Sequence, residues 1–192
     1  MLGHDMSVTL EKKALRAKVL TARAGMASEQ LLAAADALFE RLLLLIRGYP
    51  QTVIACYLPL ASEPGGPALP DRLATAFPSA TVLLPIVLPD LDLDWAPYTG
   101  PHSLAITERR LYEPTAPRLG PEAIRTARIA VVPALAADTE GYRLGRGGGS
   151  YDRALTRLSP GAVSIALLHP GELFPHVPHE PHDRRITYAL EP

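Results

Sequence analysis

The chain has 192 residues, 47% of them hydrophobic and 20% charged, with a formal net charge of −1. That balance belongs to a globular protein able to bury a real core, and the expected organisation is one domain over residues 1–192. A near-neutral chain with no basic half argues against general nucleic-acid or membrane-surface binding, and a lone cysteine, Cys56, leaves no disulfide framework and no cysteine zinc site.

Met1–Leu10 has no apolar core of the signal-peptide kind, and Met6 could be the true start; the expected location is cytoplasmic. Ser7 or Thr9 can cap a first helix running to about Arg23, with Leu10, Ala14, Leu15 and Val19 as a thin apolar face. Ser28 can cap a second, with Leu31, Leu32, Ala35, Leu38, Phe39 and Leu42 at helical spacing, ended by Gly48 and Pro50. This leucine-rich stretch, Leu31–Ile46, is broken by Asp36, Glu40 and Arg41 and is not a membrane span. Thr52–Leu58 reads as a buried strand, which makes Cys56 a structural thiol. Leu69–Phe77 reads as a helix, Thr81–Leu88 as a strand and Asp92–Tyr98 as an edge strand. Arg128–Pro133, a third apolar strand, runs into a glycine-rich turn; a helix over Tyr151–Leu158 and a strand over Ala162–Leu168 follow. This alternation predicts an α/β fold, a three-layer, mainly parallel, Rossmann-like sheet with helices on both faces, binding ligands at the carboxyl ends of its strands.

Chemistry concentrates in Gly141-Tyr-Arg-Leu-Gly-Arg-Gly-Gly-Gly-Ser-Tyr-Asp152. Glycines at 141, 145, 147, 148 and 149 free the backbone to point amides at a ligand, and the helix behind them presents unpaired N–H groups. Arg143, Arg146 and Arg153 add positive charge, and Asp152 could hold a magnesium ion between phosphates. The segment is no P-loop, because no Gly-Lys-Ser/Thr follows, and no dinucleotide fingerprint, because Ser150 stands where a third glycine would fall.

Arg143–Asp152, preceded by Val132-Pro133 and a short linker ending in Ala137-Asp138, resembles the signature of the 5-formyltetrahydrofolate cyclo-ligase family, Arg-Leu-Gly-x-Gly-x-Gly-aromatic-Tyr-Asp after a strand ending in proline. Lys12 and Arg16, Tyr57-Leu58 with Glu63, Glu113-Pro114 and Pro178–Asp183 resemble further parts in the family's order, so the resemblance spans the chain. It implies a CoA-transferase-like variant of the α/β fold and an enzyme that closes 5-formyltetrahydrofolate to 5,10-methenyltetrahydrofolate with ATP and magnesium. ATP would be held by Lys12, Arg16, Arg143, Leu144, Gly145, Arg146, Gly147, Gly148, Gly149, Ser150 and Tyr151. The folate would be held by Leu58, Glu63, Arg146, Gly147, Gly148, Gly149 and Ser150, and magnesium by Asp152 and Asp183; Arg146 and Asp152 would be the catalytic pair. The implied partners are those two small molecules, acting on a monomer without nucleic acid or membrane.

Three positions depart from the family pattern: Ser150 replaces an aromatic residue, Gly65-Gly66 follow Glu63-Pro64 where an acidic residue and threonine are usual, and Thr187 replaces a second aspartate. Substrate fit is therefore open, and a non-catalytic nucleotide- or folate-binding paralogue stays as an alternative. A third reading is a metal-dependent hydrolase built on the repeated Pro-His of the tail, where His176, His179 and His182 could line one edge of a polyproline II segment near Glu180 and Asp183. His4 and His102 read as surface positions, while His169, just past a strand, has no assigned task.

Overall fold

The computed structural model describes residues 2–50 and 52–192, the side chains of residues 2–5 excepted, so the reading of His4 lies outside the described residues. In chain order the elements are α1 (Leu2–Ala24), α2 (Ser28–Ile46), β1 (Val53–Cys56), α3 (Leu69–Ala76), β2 (Thr81–Val87) and β3 (Leu93–Pro97). A small hairpin, β4 (Leu104–Ile106) and β5 (Tyr112–Pro114), comes next, and then β6 (Ile129–Pro133), β7 (Ala136–Asp138) and β8 (Arg143–Leu144). The chain ends with α4 (Ser150–Thr156), β9 (Val163–Leu167), β10 (Leu173–Phe174) and β11 (Tyr188–Leu190).

The central sheet has the order β11-β9-β6-β1-β2-β3, parallel throughout except for β3, which runs antiparallel to β2 at the edge. Alternation along β1, β6 and β9 puts most of their larger residues on one face and their alanines on the other. Ile54, Cys56, Ile129, Val131, Ile165 and Leu167 pack with Leu38, Leu42 and Ile46 of α2 and Leu69 and Leu73 of α3. The opposite face offers Ala55, Ala130 and Ala166, small enough for Ala154 of α4 and Ile124 of a 3-10 segment to approach closely. Each fully buried leucine or isoleucine of the large-residue face contributes about 1.5–3 kcal/mol from burial. The expected mainly parallel α/β sheet with helices on both faces is what the chain forms. No helix among the described residues is long and apolar enough to cross a membrane.

Local details differ from the sequence reading. Neither Ser7 nor Thr9 caps α1, which starts earlier; the Ser7 hydroxyl instead donates to Glu11 one turn on. Ser28 is the first helical residue of α2 rather than its cap, and the Ala27 N–H is satisfied by the Gln30 side chain. Leu10 and Leu32 are exposed; the buried stripe of α1 runs Lys12, Val19, Arg23, with Leu15 and Arg16 half-buried between them. Two cations thus replace leucines on the inward face, which hydrophobic periodicity cannot see. Ala136–Asp138 is no linker but a strand, in a second sheet ordered β10-β7-β8. α1 lies over this sheet, with Leu15 against the cluster of Ala136, Leu144 and Val177.

Candidate functional site

A cleft of about 810 Å³ opens at the carboxyl ends of β1, β2 and β6, where an α/β sheet of this kind places its ligands. Its size suits a cofactor- or drug-sized occupant. Tyr57, Leu58, Leu60 and Glu63 from the loop after β1, Pro133–Leu135 after β6, and Arg143–Arg153 line it, with Lys12 and Arg16 from α1 and Glu180–Arg184 from the tail. The residues expected to hold ATP, the folate and magnesium all line this one cleft, whereas His176 and His179 do not.

The glycine-rich segment is two structures. Gly141 closes the hairpin between β7 and β8, at φ +90° and with Ile186 O only 2.7 Å from where a Cβ would sit. Asp138, 2% exposed, organises that turn, accepting the Glu140 and Tyr142 N–H groups on one oxygen and the Val177 N–H on the other. The loop Gly145–Gly149 then crosses the cleft to α4. Gly147 (φ +104°) and Gly149 (φ +67°) take backbone angles that a side chain would strain. Arg16 clamps the loop, its Nε donating to Gly145 O at 2.9 Å while its guanidinium lies under Gly147.

The charged groups are already engaged with one another. Lys12 Nζ sits between Glu180 (2.6 Å) and Asp183 (2.5 Å), its side chain 8% exposed. The Lys12 hydrogen bond holds the Glu180 carboxyl below its ordinary value. At Asp183 burial pushes upward, but the Lys12 and Glu180 N–H bonds and the Lys12 charge outweigh it and the net is again downward. Arg143, almost fully buried, pairs with Asp152 at 3.0 Å. Arg146, half-exposed, gives both Nε and an Nη to Glu63 Oε1, and Glu63 Oε2 accepts the Leu60 N–H. Arg153 reaches the carbonyls of Asp90 and Gly148, the second in the glycine loop itself.

Magnesium takes hard oxygen ligands and tolerates few others, so the carboxylates are the test of fit. Asp152 Oδ1 accepts from Arg143 and from the Arg184 N–H, while its Oδ2 has no donor among the described residues. Asp183 Oδ2 accepts from Lys12 and the Glu180 N–H, leaving Oδ1 with only His182 at 3.7 Å. Each expected ligand therefore keeps one uncommitted oxygen. Glu180, His182 and Asp183 also bring donor atoms within 4.8 Å of one another. The three tail histidines do not converge as a hydrolase site would require. His179 stacks on Tyr142, His176 meets His179 edge-on, and only His182 joins the carboxylates.

Several cleft residues escaped the sequence reading: Arg157, Arg184, Leu111, Tyr112 and, as a lining residue, Glu113. Glu113 accepts the Val87 N–H and so docks the β4–β5 hairpin against β2. Tyr151 lines the cleft with its hydroxyl buried and without a partner among the described residues, and burial pushes its pKa far upward. Of the departures, Gly65 packs where a Cβ would meet Leu69 and Leu167 at 3.0 Å, and Gly66 sits at φ +68°. Thr187 binds Ser164 across the sheet edge and is not a cleft residue.

The sequence profile described as the 5-formyltetrahydrofolate cyclo-ligase family matches residues 8–192. The chain belongs to this family. A relative from Mycolicibacterium smegmatis named 5-formyltetrahydrofolate cyclo-ligase is 42% identical over 144 residues, 72% of this chain and 73% of the relative. Among solved structures, a 5,10-methenyltetrahydrofolate synthetase from Aquifex aeolicus superposes with a TM-score of 0.75 at 25% identity, over 93% of this chain and 88% of that one. Another, from Mycoplasma pneumoniae, gives 0.74 at 18% identity over 94% and 98%, a likeness of fold. The matched residues include the glycine loop that crosses the cleft.

Proposed function

We propose that the chain catalyses the ATP-dependent cyclisation of 5-formyltetrahydrofolate to 5,10-methenyltetrahydrofolate, releasing ADP and phosphate, as a cytoplasmic monomer. The observation that carries this reading is that one cleft combines two unlike walls. A glycine loop flanked by Lys12, Arg16, Arg143 and Arg146 suits a polyphosphate, and Tyr57, Leu58, Leu60 and Glu63 suit a flat heterocycle with hydrogen-bonding edges. Family membership supplies the reaction.

In the proposed chemistry the formyl oxygen attacks the γ-phosphorus of ATP and ADP departs, leaving a phosphorylated imidate. N10 then attacks the activated carbon, its proton is lost, and phosphate leaves with the former formyl oxygen. Such a sequence needs positioning and charge stabilisation rather than a protein nucleophile. Buried Cys56 is no competitor for that role, since burial raises its thiol pKa far above neutrality. The amides of Gly147–Gly149 and the guanidinium of Arg146 would meet the transferred phosphoryl group, with Arg16 fixing the loop. Glu63 would orient the pterin beside Leu58. Asp152 and Asp183 would hold magnesium through their uncommitted oxygens, and bound there it would offset the phosphate charge.

The test is direct. Protein mixed with MgATP and 5-formyltetrahydrofolate should raise the near-ultraviolet absorbance of the methenyl product, with ADP formed one for one. Binding of both compounds without product would instead support the non-catalytic paralogue.

A further inference from the structure

Behind the cleft a buried polar chain links α1 to the loop that carries Glu63. Arg23, 3% exposed, donates through Nε and Nη2 to the two oxygens of Glu172, at 2.7 and 2.8 Å, and through Nη2 to Ala134 O. Glu172 Oε2 accepts the backbone N–H of His169 at 2.7 Å. His169, itself 3% exposed, places Nε2 at 3.2 Å from the carbonyl oxygen of Ser62. A carbonyl only accepts, so Nε2 carries the proton and the buried Nδ1, which has no partner among the described residues, carries the lone pair. Burial lowers the pKa of this imidazole and favours the neutral form in which it donates.

Ser62 immediately precedes Glu63. The turn closes on itself through Glu63 N–H to Leu60 O and Leu60 N–H to Glu63 Oε2, and the Tyr57 hydroxyl binds Pro64 O just beyond. His169 is the outer brace on this turn. It comes from the end of β9, on the far side of the loop from the cleft, and it is not among the cleft-lining residues. An orphaned buried lone pair at Nδ1 costs stability, and an apolar residue at 169 would avoid it; what the imidazole supplies in return is the donor to Ser62.

We infer that His169, held by the Arg23–Glu172 pair, is a positioning residue for the folate side of the cleft: it fixes the Leu60–Glu63 turn and so the direction of the Glu63 carboxylate. The inference rests on the proposed reaction for its kinetic consequence, but its structural half is independent of it.

The test compares three variants. Glutamine places an amide N–H where Nε2 stands, whereas asparagine is too short and leucine has no donor. His169→Leu and His169→Asn should raise the KM for 5-formyltetrahydrofolate about tenfold, with kcat within about twofold and the KM for ATP unchanged. His169→Gln should restore the wild-type value. Amide exchange at residues 60–63 should quicken in the leucine and asparagine variants, while β6 and β9 keep their protection. Should leucine at 169 not fold, the asparagine–glutamine pair carries the comparison. Equal KM values for asparagine and glutamine, or kcat and both KM values moving together, would overturn the inference. If the wild-type protein makes no methenyl product, the proposed reaction fails, and exchange at 60–63 alone then decides: quickening supports the brace, and no change refutes it.

Discussion

Replacing Lys12 by methionine removes the ammonium that sits between Glu180 and Asp183 while keeping the aliphatic stem on α1. The three side chains are 8%, 22% and 12% exposed, so the ion pairs lie between the surface and fully buried limits. Breaking a buried pair costs about 3–5 kcal/mol and an exposed one about 0–1, which places this loss at about 2–3 kcal/mol. For a chain of this size that is a fall in Tm of about 5–10 °C near pH 7. The pH dependence follows from the depressed carboxyls. Glu180 and Asp183 have folded-state pKa values below their ordinary ones, so their stabilisation is present above the usual carboxylate range and is lost as pH falls through the lowered values. The gap between wild type and Lys12→Met should therefore be widest near neutrality and close as pH falls through the lowered carboxyl values. Thermal melts of both proteins across that range read it. A gap that is absent at neutrality, or that widens on acidification, would refute the assigned electrostatics.

Arg146→Ala should lower kcat by about a hundredfold or more and also lower Tm, because it leaves the buried Glu63 carboxylate without its cation; steady-state kinetics beside a melt reads both. Asp152→Ala should cut turnover and also destabilise, since it strips the buried Arg143 of its carboxylate. Gly141→Ala should cost about 2–3 kcal/mol in denaturant melts, combining a left-handed φ with a contact to the Ile186 carbonyl that cannot yield easily. Cys56 should resist thiol reagents at about pH 8 in the folded protein and react on unfolding.

Much of the sheet was legible because its strands are short, β-branched and bounded by prolines and glycines, and α2 because Leu38, Leu42 and Ile46 repeat at helical spacing. The β4–β5 hairpin was not. Ala105, Ile106 and Tyr112 are exposed and alternate with nothing, and the hairpin is held through Glu113 on the β2 backbone, a contact without local signature. β7 and β8 are too short for any periodicity, and only the Asp138 side chain bonding inside the turn betrays them. At the site, the glycines and cations carried their own signal. What sequence could not tell was who neutralises whom: Lys12 with the tail acids, Arg143 with Asp152, Arg146 with Glu63. Those pairings join residues far apart in the chain and exist only once the fold has brought them together.

The Arg146–Glu63 pair has a consequence for how two ligands meet in the cleft. While it stands, Glu63 Oε1 and two of the Arg146 donors satisfy one another. A ligand that draws Arg146 to an anionic group must leave Glu63 without its cation, and one that engages Glu63 must release Arg146. The first arrival separates them at the expense of its own affinity, and the second finds its contact already liberated. Two compounds recruiting opposite members of the pair thus bind with heterotropic cooperativity, and linkage requires the gain to be the same factor whichever enters first.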